Sequence, residues 1–169
     1  NTLKLDSSLY DAYLGLGSYH YWKSAKTDWV NWLPVIGDSR GKGMAMLVQA
    51  TQCGVYTRET ARAALASALT NDERYPEAIA HADTLAMRIP LGKTPLWLKG
   101  KALFALYEWD AAIAVFDTLE VRIRAQGTGN YYNLIECAYY RAQCHCGAGH
   151  YEPALNECGK ALTYPAADE

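Results

Sequence analysis

The sequence predicts an all-α chain built from stacked antiparallel helical hairpins. Apolar residues recur at helical spacing, and Val, Ile and Thr do not alternate in strand-like runs. Three segments align on a shared alanine: Tyr75/Ala78/Ala82/Leu85, Trp109/Ala112/Phe116/Leu119 and Tyr151/Ala154/Cys158/Ala161. Their alanines lie 34 and then 42 residues apart, the interval of a stacked repeat. Twelve positions before each alanine stands a small residue, Ala66, Gly100 or Ala142. Helices of one hairpin need small side chains where they cross closely, because bulk there would force them apart.

A weaker fourth copy lies upstream, with Gly43, Leu47 and Ala50 at the same offsets. It makes residues 1–54 a divergent first unit, interrupted by an insertion over 23–40. The stretch Gly37-Asp38-Ser39-Arg40-Gly41-Lys42-Gly43 invites a phosphate-loop reading. That loop needs G-x-x-x-x-G-K-[ST] after a buried strand. Here the glycines are one residue too close, Gly43 replaces the magnesium-binding hydroxyl, and Pro34 interrupts the preceding segment. The stretch reads instead as the turn before the unit's second helix. Repeat units follow over 59–90, 93–125 and 135–165, one domain in all. Pro90 and Pro165 fall where second helices end. Residues 126–133, QGTGNYYN, supply the longer loop that the 42-residue interval requires.

These residues resemble the tetratricopeptide repeat, a 34-residue helix–turn–helix unit that stacks into a right-handed superhelix. The small residue matches at Ala66, Gly100 and Ala142, the alanine at Ala78, Ala112 and Ala154, and the aromatic at Tyr75, Trp109 and Tyr151. Tyr13, Leu16, Gly17 and His20 resemble the start of a first helix. The family's tryptophan is replaced by Arg62, Leu96 and Ala138.

Composition narrows the function classes. The chain has 169 residues, a net charge of -2 and a pI near 6.1, which gives no general affinity for nucleic acid or anionic membrane. Its apolar runs are short and interrupted, so no transmembrane segment is expected. Asn1 at the start suggests processing, which would remove any targeting signal from view. Five cysteines cannot all pair within the chain, and a helical fold of this size needs no staples. They read as mostly buried thiols, leaning weakly towards a reducing, cytoplasmic compartment, with a periplasmic one left open by the start at Asn1.

Cys144-His145-Cys146, with Cys137, His150 and Cys158, invites a metal reading. On one helix, residues two apart diverge by about 200°, so no metal or other cofactor is expected. Cys158 reads as a packing position. His20 also takes a packing position, and His81 reads as surface. No nucleophile, acid–base pair or phosphate loop is evident, so enzyme chemistry is not expected.

The resemblance implies a concave groove lined by the first helix of each unit. Its ligand-contacting positions map onto Asp11, Ser18, Tyr21 and Trp22, then Thr60, Ala63, Ser67 and Asn71. They continue through Thr94, Trp97, Lys101 and Phe104 to Glu136, Tyr139, Gln143 and Cys146. From these the candidate partner-binding residues are Tyr21, Trp22, Ser67, Thr94, Trp97, Lys101, Phe104, Glu136, Tyr139 and Gln143. The expected function is an interaction or scaffold module for a protein or peptide. The alternative is a small-molecule or lipid site in an N-terminal pocket of Tyr10, Tyr13, Tyr19, Tyr21 and the tryptophans. Trp22, Trp29, Trp32 and Leu33 in and beside the insertion read as a cap on the end of the array, with a contact to a partner, protein rather than lipid, as the alternative. The short ending, TYPAADE, raises a homodimer or further repeats in a longer parent chain.

Overall fold

The computed structural model describes residues 9–27, 37–127 and 131–164. Among them the chain is entirely α-helical and repeat-like. It forms two compact units, residues 1–74 and 75–169. Trp29, Trp32, Leu33, Pro165 and the tip of the 126–133 loop lie outside the described residues.

The first unit holds α1 (Ala12–Lys26), α2 (Arg40–Cys53) and α3 (Arg58–Asn71). Helices α1 and α2 cross at two glycines. A Cβ on Gly43 would lie 2.5 Å from the Tyr21 backbone nitrogen and 2.6 Å from the Gly17 carbonyl oxygen. One on Gly17 would lie 2.9 Å from the Gly43 oxygen and 3.1 Å from the Leu47 side chain. Backbone meets backbone here, and only glycine permits it. Gly41-Lys42-Gly43 lies in the first turn of α2, where a turn before the helix was expected, and Gly43 is consumed by helix packing.

Two polar ties hold this unit. Asp11 Oδ1 accepts the backbone N–H groups of Val55, Tyr56 and Thr57 at 2.9–3.0 Å and the Thr57 hydroxyl at 2.8 Å. Those donors, led by Thr57, hold its carboxyl below the usual range. Tyr21 is fully buried. Its one hydroxyl proton lies between two acceptors, the Ala68 carbonyl at 2.8 Å and Asp72 Oδ1 at 2.5 Å, and its oxygen accepts from the Asn71 amide at 2.9 Å.

The second unit holds α4 (Tyr75–Arg88), α5 (Thr94–Ala105), α6 (Trp109–Ala125), α7 (Tyr132–Gly147) and α8 (Tyr151–Leu162). Each helix packs on the next. The three aromatics that mark the repeat, Tyr75, Trp109 and Tyr151, are the first residues of α4, α6 and α8. The shared alanines Ala78, Ala112 and Ala154 are buried, Ala112 completely.

Gly100 is the narrow point of this unit. A Cβ there would lie 2.8 Å from the Phe116 ring. Phe116 is roofed by Tyr140, stacked at 5.0 Å and 8°, and flanked by Trp97 at 5.8 Å. The same pairing, small residue on the first helix and larger one on the second, joins Gly17 to Leu47 in the first unit.

The turns repeat as well. Glu73, Tyr107 and Gly149 all have positive φ, at 60°, 63° and 79°. In each turn that residue's N–H bonds three residues back and the next N–H five back, as in Glu73 to Thr70 and Arg74 to Leu69. This is the left-handed helix stop that favours glycine. Two of the three positions carry side chains instead, at a cost of about 1 kcal/mol each.

Two predictions follow from this geometry. Gly43→Ala should destabilise by about 2–3 kcal/mol through overpacking, whereas Gly41→Ala, with open space around its Cβ, should be neutral or gain up to about 1 kcal/mol. Equal melting temperatures for the two variants would remove Gly43 from the crossing. At the turns, Glu73→Gly should stabilise by about 1 kcal/mol and Gly149→Ala should destabilise by about as much. Chemical denaturation measures both, and opposite signs would refute the assignment.

Candidate functional site

The second unit gathers six of the residues expected from sequence. Trp97, Lys101 and Phe104 lie on α5, and Glu136, Tyr139 and Gln143 lie on α7. Lys101 Nζ is 3.0 Å from Glu136 Oε1. It also sits over two rings, 5.2 Å from the Trp97 centroid and 5.4 Å from that of Tyr140. Burial alone would lower the lysine pKa, but Glu136 and Tyr140 reverse the shift and raise it.

Phe104, Tyr139 and Gln143 line an open groove of about 650 Å³ along α7. The groove also takes in Trp109, Ile135, Ala138, Ala142 and Cys146, and is closed on its far side by Cys158, Ala161 and Leu162 of α8. A second hollow, about 280 Å³, adjoins it and is lined by Tyr132, Ile135, Glu136, Tyr139 and Tyr140. Tyr139, more than half exposed, belongs to both.

The groove lies where Cys158 stands in place of the large residue of the preceding hairpin, Phe116, opposite Ala142. Ala142 and Cys158 lie 42 residues after Gly100 and Phe116 and take their places in the repeat. Phe116 fills its slot and is roofed by α7. Cys158 leaves its slot hollow and is exposed. Trp109 likewise packs so tightly on Gly147 that a Cβ there would lie 2.6 Å from the ring. Its counterpart Tyr151 is 69 % exposed, and with Leu155 (72 %) and Leu162 (87 %) it leaves an apolar stripe open on α8.

Charge also ties α8 to its neighbours, beside the packing of buried Ala154. Arg141 on α7 is 3 % exposed. Its Nε donates to Glu157 Oε2 on α8 at 2.9 Å, and Nη2 lies 2.7 Å from the same oxygen and 2.5 Å from Glu120 Oε2 on α6. Nη1 lies 3.2 Å from Asp117 without hydrogen-bond alignment. Lys160 closes on the other Glu157 oxygen at 2.5 Å. Burial pushes the Glu157 carboxyl up, but Lys160 and Arg141 outweigh it and hold its pKa below the ordinary value near 4.5.

The other expected residues are placed differently. Thr94 opens α5 and is exposed. Ser67 and Trp22 are half-buried in the first unit, Trp22 edge-on to Tyr21 at 5.0 Å. Tyr21 is a correction: an enclosed ring with a fully bonded hydroxyl is an internal tie and offers a partner nothing. The same burial takes it out of the proposed N-terminal aromatic pocket. Tyr19 is exposed, and Tyr10 and Tyr13 pack on each other at 5.8 Å.

The thiols need correction too. Only Cys137 and Cys144 are buried; Cys53, Cys146 and Cys158 are exposed. Burial pushes Cys137 up to about 12 and Cys144 up to about 11, so neither is a thiolate near neutral pH. Cys144 faces inward and Cys146 outward, as their helical phase requires. Among the described residues no three His, Cys, Asp or Glu side chains converge on a metal position, and no helix is long and apolar enough to cross a membrane.

Tyr140, Ile135 and the α8 wall escaped the sequence reading. Family positions mark which first-helix residues face a ligand, and Tyr140 is not among them. The available signal was the exchange of Phe116 for Cys158 at one repeat position, which announces an unfilled slot. Comparisons with protein-family models, curated proteins and solved structures return no match.

The α8 clamp predicts acid sensitivity. Glu157 has a depressed folded pKa, so its stabilisation is present above the unfolded value and is lost as pH falls through the folded one. Stability should therefore drop progressively below about pH 4.5. Glu157→Gln should cost about 2 kcal/mol at pH 7 and flatten that part of the stability–pH curve. Melts from pH 7 to pH 3 test this, and parallel curves for parent and variant would exclude Glu157.

Proposed function

We propose that this chain is a tetratricopeptide-like interaction module that holds a protein or peptide segment and performs no chemistry itself. The observation that carries the reading is the open apolar groove along α7, about 650 Å³ in volume. It is edged by large apolar side chains left in solvent, Tyr139 and Leu162 among them. Contiguous exposed apolar surface on a small domain marks a binding site. An amphipathic segment laid in such a groove buries its anchors there.

The repeat-like turns and the recurring small-on-large crossing support the family assignment. On that assignment, α5 and α7 are first helices and their shared face is part of the concave surface. The ionisable groups beside the groove support a binding role over a catalytic one. Lys101 and Glu136 engage each other, Arg141 engages three carboxylates, and the buried cysteines are protonated thiols.

Selection of peptides from a random display library tests the proposal. Enriched peptides should lose at least about tenfold in affinity when Tyr139→Asp/Leu162→Asp replaces the parent, with the variant's helicity unchanged. Failure to enrich any peptide family, or equal affinity for parent and variant, would contradict a peptide groove on α7.

A further inference from the structure

The hollow beside the groove has its own chemistry. Three tyrosines, Tyr132, Tyr139 and Tyr140, line it together with Ile135 and the carboxylate-bearing Glu136. Tyrosine faces carry negative potential and attract ammonium and guanidinium groups, more strongly where water is partly excluded. A carboxylate beside them adds a charge-assisted partner. This combination suits an organic cation and disfavours an anion.

The chain already demonstrates the preference. Lys101 places its own ammonium at the edge of this hollow, 5.4 Å from the Tyr140 centroid and 3.0 Å from Glu136. Its side chain is 42 % exposed, so solvent reaches this pair and its long stem can carry the ammonium to another position when a competing cation arrives. In sequence, residues 75–169 carry eight Lys and Arg against eleven Asp and Glu, a formal net charge of -3.

We propose that the bound segment is a basic amphipathic helix, whose apolar face fills the α7 groove while a flanking Lys or Arg enters the Tyr132–Glu136–Tyr139–Tyr140 hollow. The inference rests on the peptide-binding reading above and adds the partner's charge. Lys101 is then a resident counter-ion that the incoming cation displaces from Glu136. Its role is opposite to that of a residue contacting an acidic partner, and the two roles predict opposite effects of removing it.

The test uses three synthetic 18-residue helical peptides with one Leu/Ala face and a polar face of Lys, Gln or Glu, titrated by calorimetry. The parent should bind the Lys peptide at least about tenfold more tightly than the Glu peptide. Lys101→Met should tighten the Lys peptide several-fold, and Glu136→Gln should weaken it about tenfold, with thermal melts confirming that both variants fold. Tighter binding of the Glu peptide, or weaker Lys-peptide binding in Lys101→Met, would overturn the inference. Equal binding of all three peptides, abolished by Tyr139→Asp, would overturn the charge assignment and leave the peptide groove standing. Binding of none of them would overturn the inference, and the display selection would then decide the groove separately.

Discussion

The second unit depends on the fit of one ring into one slot. Gly100 has no side chain, so the Phe116 ring lies against the α5 backbone. Tyr140 stacks over the ring at 5.0 Å and Trp97 closes its edge. That contact sets the distance between α5 and α6 and provides the surface on which α7 rests. One hairpin later the same positions hold Ala142 and Cys158, and nothing in the described chain roofs them. The candidate site is therefore an unfilled copy of the core contact, made by the rule that makes the core. Small pairs in a slot shaped for a large one leave a hollow, because neighbouring helices relax only in part.

Charge adds a tie beside that hollow. The α7–α8 hairpin packs through buried Ala154 and also carries Arg141, shared among Asp117, Glu120 and Glu157 on the two flanking helices. The buried guanidinium links α8 to α6 and α7 without filling the space between Ala142 and Cys158. Stability and an open groove then coexist, with acid sensitivity as the consequence. The second pair, Lys101 with Glu136, is partly exposed and lies beside the smaller hollow.

Much of the architecture was legible in the sequence because the repeat places like residues in like roles. Tyr75, Trp109 and Tyr151 each open a helix, and Ala78, Ala112 and Ala154 are all buried. Gly43 could be taken from a phosphate loop and given to a helix by offset alone. The site was legible only in part. Trp97, Lys101 and Phe104 share α5, and Glu136, Tyr139 and Gln143 share α7, with only Phe104, Glu136, Tyr139 and Gln143 lining a hollow. Tyr21 misled because an aromatic at a ligand-facing position was read as surface. Its hydroxyl meets Ala68, Asn71 and Asp72, partners some 50 residues away that no local pattern reveals. Cys158 misled in the opposite sense: its repeat position is a packing position, but packing requires a neighbour on the other side.

The α7 groove is the counterpart of the internal slot left unfilled, and we propose that a partner occupies it. Rebuilding the internal pair tests it most directly. Cys158→Phe alone would press a ring onto the Ala142 Cβ, so the variant to make is Ala142→Gly/Cys158→Phe, measured for helicity, melting temperature and affinity for display-selected peptides. The account predicts unchanged helicity, a melting temperature at or above the parent's, and loss of peptide binding. A folded double variant that binds as tightly as the parent would contradict it.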